Sequence, residues 1–408
     1  MSKNRRDIVI VGGGPAGMMA GLLFARAGLK VAVLEKHADF LRDFRGDTVH
    51  PSTLELFHQL GMLEDLLKLQ HSRIDQASIH IAGQQMKVLD FRQLPLAAPY
   101  IAMMPQWDLL NFIATKAGQY PGFELLMKTE AVDLVYDATD RVCGVQTRQG
   151  DTLDARLVIA ADGRRSVLRG KAELPLQNIG APMDVFWFRI DKPEHAGGDV
   201  FGTVQASRFM VMIDRQDYYQ CAYIFNKGQA DEVKAAGLEA FRAGLRSLVP
   251  HLGEAFNQIN NWDQVKMLEV SLDRLDRWHR PGLLAIGDAA HAMSPIGGVG
   301  INIAVQDAVT AANVLAAAMQ RGDDPDSLLE QVQARRIKPV RRMQAFQKFA
   351  QDRVIEPLLR RSKPIAKPFF PLKLLDRVPL LRRIPGRIIG MGFGREDIQS
   401  PEMPDKPL

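Results

Sequence analysis

The sequence predicts an α/β protein in which a parallel-stranded unit is interrupted by a mostly antiparallel sheet and followed by a helical tail. Three observations carry this reading. Apolar strands at residues 7–11, 157–161 and 283–286 each run into a glycine-bearing turn and then a helix, the pattern of parallel strands joined at one sheet edge. Between the second and third, the chain switches to short aromatic-rich strands separated by turns. From Arg335 onward a basic helix gives way to proline-punctuated segments.

The first unit is the most explicit. Asp7-Ile8-Val9-Ile10-Val11 is a buried-strand run, and Gly12-Gly13-Gly14-Pro15-Ala16-Gly17 precedes an apolar helix from Met18 to Ala27 that Gly28 ends. This is G-x-G-x-x-G with a strand before it and a helix after it. Gly12 permits the sharp turn, Gly14 the approach of a pyrophosphate, and Gly17 close packing of helix on strand. A second strand, Lys30 to Leu34, delivers Glu35 at its carboxyl end. A carboxylate there accepts hydrogen bonds from ribose hydroxyls and disfavours a 2′-phosphate, so the expected ligand is FAD or NAD, not NADP.

The second unit ends in Asp162-Gly163 and continues with Ser166 and Arg169 at D-G-x-x-S-x-x-R spacing. A turn with Ser166 capping the next helix accounts for part of it. The third runs from Gly282 through Gly287-Asp288, His291 and Pro295 to Gly298-x-Gly300-x-Asn302 and an Ala-rich helix. Its carboxylate can grip a polar cofactor chain, while a helix N-terminus offers free N–H donors and partial positive charge.

Residues 185–190, 208–213 and 218–225 read as strands, with Asp214-Arg215-Gln216-Asp217 the hairpin between the last two, and residues 77–82 are a shorter companion. Alternation puts Tyr219, Cys221, Tyr223 and Phe225 on one face, and Met210 with Met212 on one face of the neighbour. These faces either line a pocket or pack against helices; periodicity does not choose.

Composition sets bounds. With 408 residues, 46% hydrophobic, 24% charged and a net charge of +5, the chain fits a globular protein with a full core. Cys143 and Cys221 are its two cysteines, which argues against a disulfide framework or a cysteine-rich metal site and favours a reducing cytoplasm. No metal and no nucleic-acid partner are expected. The uncharged run Ile8 to Ala25 imitates a signal peptide, but its glycines and proline read as a turn.

Taken together, Gly12/Gly14/Gly17 with Glu35, the Asp162 to Arg169 element, and Gly287-Asp288 with Pro295 and Gly298-x-Gly300-x-Asn302 resemble the single-component FAD-dependent aromatic hydroxylases, the para-hydroxybenzoate hydroxylase family. The resemblance is specific over about 7–57, 157–170 and 280–315. It implies a Rossmann-like FAD-binding domain formed by 1–70, 101–175 and 271–350, an inserted substrate-binding sheet from 71–100 and 176–270, and a basic tail over 351–408. Gly12, Gly14, Pro15, Ala16 and Gly17 would hold the FAD pyrophosphate, and Glu35 with Lys36 the adenosine ribose. Arg45 and Gln106 would approach the FAD chain, and Val132 the adenine. Asp162 belongs to the same cofactor set. Asp288 would meet the ribityl and phosphate region, while Pro295, Gly298, Gly300, Ile301 and Asn302 would frame the flavin edge.

The implied activity is a monooxygenase. NADPH or NADH reduces FAD, O₂ adds to give a flavin C4a-hydroperoxide, and its distal oxygen passes to an aromatic, polyketide-like or quinone-like small substrate. Around Arg45 the chain reads Gly46-Asp47 before His50-Pro51-Ser52-Thr53, where characterised relatives vary, so no substrate-side residue is borrowed. Tyr219, Tyr223 and His291 are the candidates for substrate activation. Single histidines such as His37, His50 and His291 are ordinarily solvated or hydrogen-bonded, so FAD is expected to be non-covalent. A flavin reductase or halogenase relative, or a non-enzymatic flavin-binding protein, are the alternatives. The Trp-x-Trp-x-Ile-Pro element of the halogenases is absent at Trp107 and Trp187.

The tail mixes Leu, Phe and Arg. It reads either as a cap on the FAD lobe or as a peripheral membrane contact. Prolines that interrupt a long amphipathic face favour the cap.

Overall fold

A computed structural model describes residues 5–41, 47–193, 202–205, 207–361, 363 and 365–403. Arg45 lies outside the described residues. Strand β1 (Arg6–Val11) leads through the glycine turn into helix α1 (Pro15–Arg26), and β2 (Val31–Glu35) returns beside it. A short strand β3 (Thr48–Val49) and helix α2 (Pro51–Gln59) follow. Next come β4 (Gln76–Ile81), β5 (Gln84–Asp90), helix α3 (Gln106–Ala117) and β6 (Phe123–Met127). The hairpin β7 (Ala131–Tyr136) and β8 (Val142–Thr147) runs into β9 (Thr152–Ala160) and helix α4 (Val167–Lys171).

The large insert contains β10 (Met183–Asp191), β11 (Gly202–Gln205), β12 (Arg208–Asp214), β13 (Tyr218–Asn226), helix α5 (Leu238–Leu248) and β14 (Lys266–Leu268). The chain returns through β15 (His279–Arg280) and β16 (Leu283–Ala285), then helices α6 (Gly300–Gln320) and α7 (Asp326–Ala350). Two short helices, α8 (Phe370–Arg377) and α9 (Pro379–Met391), complete it.

Two sheets organise these elements. The first has the order β15-β16-β9-β1-β2-β6, with β16, β9, β1, β2 and β6 parallel and the β7–β8 hairpin attached to β9. Because β1 pairs Val11 with Ala160 and β9 pairs Ala160 with Ala285, three chain segments leave this sheet at one carboxyl edge. Strands buried on both faces need continuous apolar runs, which is why Ile8, Val9, Ile10, Leu157, Val158 and Ile159 are all fully buried. Helix α6 is apolar nearly all round, as a core helix must be. The stretch Ile296–Gln320 is long and apolar enough to cross a membrane, yet 83% of its most apolar window is buried against the rest of the fold.

The second sheet has the order β14-β10-β13-β12-β11-β4-β5, antiparallel except where β11 meets β4. It settles the question that alternation left open. Tyr219, Cys221, Phe225, Met210 and Met212 pack with Phe186 and Phe188 against Phe241 and Leu245 of α5, with Tyr223 at the margin of the same cluster. The other face carries Val185, Trp187, Phe209, Val211, Ala222 and Ile224, and Ile355 and Leu359 pack against it together with Ile296. Tyr219 and Tyr223 are therefore turned away from the turn that carries Ile296. The physical reason is the amphipathic α5, whose apolar side needs an apolar sheet face to cover it.

The prolines do not remove amphipathicity from the tail. Pro379 opens α9 and Pro385 lies within it, so the break yields two short helices packed on β5. The segment beyond returns to α1, where Met403 N–H donates to Arg26 O at 2.9 Å and Glu402 pairs with Arg26 at 2.6 Å.

Candidate cofactor and substrate site

The carboxyl edge of the parallel sheet gathers the three motifs. A Cβ on Gly12, whose φ is +110°, would lie 2.2 Å from Ala161 O, and one on Gly17 would lie 1.9 Å from Gly12 O. Both glycines are demanded by backbone packing. Gly14 differs: a Cβ there would meet nothing within 4 Å. It faces open space at the N-terminus of α1, beside first-turn N–H groups that have no intrahelical partner. Glu35 accepts from Gly13 N–H at 3.2 Å and His37 N–H at 3.0 Å, so its carboxylate is fixed at the end of β2. Lys36 is exposed beside it. Val132 lies in β7, which starts where Thr129 N–H donates to Glu35 O. These residues fit an adenosine and a pyrophosphate.

Asp162 closes on its own turn. It accepts from Ser166 Oγ at 2.5 Å and from Val167 N–H at 2.7 Å, while Ser166 Oγ accepts from Arg169 N–H at 3.0 Å. Burial pushes the Asp162 carboxyl upward, against the opposing pull of these hydrogen bonds. The D-G-x-x-S-x-x-R spacing thus builds a helix cap. Its arginines then reach the third motif: Arg164 pairs with Asp288 at 2.9 Å, and Arg169 donates to Ala289 O at 3.2 Å. Sequence reasoning missed Arg164, although its place directly after Asp162-Gly163 was the available signal.

Gly287 sits between two helix starts, since a Cβ there would lie 2.9 Å from Ala16 Cβ and 3.3 Å from Ala304 Cβ. Its N–H donates to Asp307 Oδ2 at 3.0 Å. The same carboxylate takes His291 Nε2 at 2.6 Å and Arg336 Nε at 2.8 Å, with all three side chains buried. Burial pushes Asp307 upward, but His291 and Arg336 outweigh it and hold the carboxyl below its usual range. His291 is thus committed beneath the Gly287 turn as a positioning residue. Asp307 and Arg336 belong to the site and were not anticipated.

The glycine turn completes the frame. Gly297 and Gly298 have φ of +78° and +64°, and Gly298 N–H donates to Pro295 O at 3.0 Å. Thr48 Oγ1 and His50 Nε2 donate to Gly298 O at 2.7 and 3.0 Å. Asn302 Oδ1 accepts from Ser52 and Thr53 at 2.7 and 2.8 Å. Helix α6 begins at Gly300, so the amides of Gly300, Ile301 and Asn302 form its unpaired first turn. Next to β3, buried Asp47 pairs with Arg215 at 2.5 Å and accepts from Gln106 N–H at 3.3 Å. Arg215 belongs to the β12–β13 hairpin, so this ion pair ties the insert to the segment that leads into β3. Burial raises Asp47 despite the neighbouring guanidinium.

Between the turn and the insert lies the apolar inner face. Trp187 stands on it with an indole Nε1 that has no hydrogen-bond partner among the described residues. A buried donor left unpaired is costly unless something completes it.

Comparisons with known proteins give the family. Residues 5–347 match the FAD binding domain family. The chain is 31% identical over 335 residues to 6-methylpretetramide 4-monooxygenase of Streptomyces rimosus, covering 81% of this chain and 80% of that protein. It is 27% identical over 335 residues to para-nitrophenol 4-monooxygenase of Pseudomonas sp. strain WBC-3, covering 79% and 81%. Its fold is similar to the crystal structure of PqsL, a probable FAD-dependent monooxygenase from Pseudomonas aeruginosa, at TM-score 0.74 and 21% identity over 87% of this chain and 97% of that one. The chain belongs to the FAD-dependent monooxygenases of the para-hydroxybenzoate hydroxylase-like family.

Proposed function

We propose that the protein uses NAD(P)H and O₂ to hydroxylate a flat aromatic, polyketide-like or quinone-like compound, by way of a flavin C4a-hydroperoxide. The observation that carries this reading is the apolar inner sheet face of Val185, Trp187, Phe209, Val211, Ala222 and Ile224 set over Ile296 of the glycine turn. Relatives named for 6-methylpretetramide and para-nitrophenol support an aromatic substrate.

FAD supplies the redox and oxygen chemistry when bound. Gly14 and the first turn of α1 hold its pyrophosphate, and Glu35 its ribose. Asp288 meets the ribityl chain, with Arg164 holding the carboxylate in place. The amides of Gly300 to Asn302 stabilise negative charge at the ring edge. The inner face excludes water, which favours oxygen transfer over decay. Trp187 Nε1 offers one hydrogen bond to an oxygen on the substrate.

The test is a screen of aromatic, polyketide and quinone-like compounds for accelerated NADH or NADPH oxidation, followed by ¹⁸O₂ labelling of the product. Stimulated oxidation matched by label in the product is expected. Rapid oxidation with no labelled product from any compound would overturn the hydroxylase reading in favour of a reductase. A halogenated product that requires halide would do so in favour of a halogenase.

A further inference from the structure

We propose that the outer face of the α8–α9 pair docks on an anionic lipid bilayer. Phe370 and Leu374 on α8 and Val378 directly after it recur at four-residue spacing and are 76%, 40% and 37% exposed. Leu380 and Ile384 repeat that spacing on α9 and are 63% and 58% exposed. Other exposed large apolar residues, such as Val167, Leu176 and Met267, are scattered singly, which is ordinary for a protein surface.

The pair is held rigidly from behind. A Cβ on Gly386 would lie 2.3 Å from Asp90 O, and one on Gly390 would lie 2.7 Å from Leu94 Cδ1, so the glycine side of α9 is in close contact with the end of β5. Buried Arg382 donates to Leu375 O at 2.8 Å and also to Asp376 O, fixing the corner between the helices. The apolar side chains on the far side are therefore presented together.

Charge decides the occupant. Arg377, Arg383 and Arg387 are exposed among the apolar residues. From 365 to 391 the only acidic residue is Asp376, whose carboxylate accepts Lys87 N–H at 2.9 Å. Guanidinium groups level with large apolar side chains match phosphate headgroups above acyl chains. A second copy of this face would set arginine against arginine.

The experiment is co-sedimentation of the full-length FAD-loaded protein with vesicles of phosphatidylcholine alone or of equimolar phosphatidylcholine and phosphatidylglycerol. Binding to the anionic vesicles alone, weakened by salt, is expected. Leu380→Asp with Ile384→Asp should reduce it by at least about tenfold while flavin content and unfolding midpoint stay unchanged, since both side chains are exposed. Arg383→Gln with Arg387→Gln should lower binding at low salt. Failure to pellet with anionic vesicles, or equal pelleting of Leu380→Asp/Ile384→Asp, overturns the proposal. Self-association in solution that the same aspartates abolish, without vesicle binding, would assign the face to a second copy instead.

Discussion

Gly14 and Gly17 stand three residues apart in one motif but answer to different constraints. Gly17 has Gly12 O where a methyl would go, whereas Gly14 has open space. Gly17→Ala should cost about 1–3 kcal/mol of stability through overpacking. Gly14→Ala should change stability by less than about 0.5 kcal/mol yet weaken FAD binding at least about tenfold. Urea unfolding of the apoprotein and flavin titration separate the two, and equal loss of stability in both variants would contradict this division.

His50 offers a second residue-scale outcome. Burial lowers its pKa from 6.5 to about 4, against the opposing pull of the carbonyls of Gly298 and Ile389. The unfolded chain takes up this proton near pH 6.5 and the folded chain only near pH 4. The His50 contribution is thus complete above pH 6.5 and is lost as the pH falls to about 4, an effect of about 3 kcal/mol. Unfolding free energies of His50→Gln between these limits should be flatter with pH than wild type; an unchanged slope would refute this. For Trp187, replacement by Phe keeps the apolar wall and removes the donor. KM should rise by about threefold to tenfold with kcat little altered, as steady-state kinetics with an identified substrate would show.

At the scale of elements, α7 is the most instructive. Arg336, Gln344, Gln347 and Gln351 lie along one line of the helix and its continuation, and all are buried. Gln347 donates to Ser294 O and Ile296 O, both at 2.9 Å, and Gln351 donates to Ser294 Oγ at 2.8 Å. This helix scaffolds the turn that frames the flavin edge. The sequence alone reads it from Arg335 onward only as a basic helix, with no sign of which polar side chains turn inward. What makes the stripe internal is the packing of α7 against α6 and the turn, which lies forty or more residues away in the chain. By contrast β1, β2, β9 and β16 were legible, since their apolar runs and following glycines are local signals. The inner face of the insert was not, because alternation is symmetric until α5 covers one side. Arg336→Ala should destabilise the fold by about 3–5 kcal/mol, leaving the buried Asp307 carboxylate with Gly287 N–H and His291 but without its guanidinium. Denaturant unfolding of the two proteins checks it, and a loss below about 1 kcal/mol would show the network to be dispensable.

The whole molecule has two principal cores. One surrounds the parallel sheet with α1 and α6, and the other lies between the antiparallel sheet and α5. The antiparallel sheet separates them: Trp187 and Val211 on its inner face pack against the first core, and the Asp47–Arg215 pair ties its hairpin to the segment before β3. The two thiols fall on opposite sides of this division: Cys221 is fully buried in the second core, while Cys143 is partly exposed on β8. Burial raises both thiols, so neither is a ready nucleophile in the folded state. This turns the pair into an internal clock. In mild urea, an Ellman-type reagent should modify Cys143 at a rate set by its own accessibility, and Cys221 only as often as the insert swings open. If the insert opens separately, Cys221 labelling will rise before the flavin is released. Coincident onset would mean that the Asp47–Arg215 pair binds both cores into one cooperative unit.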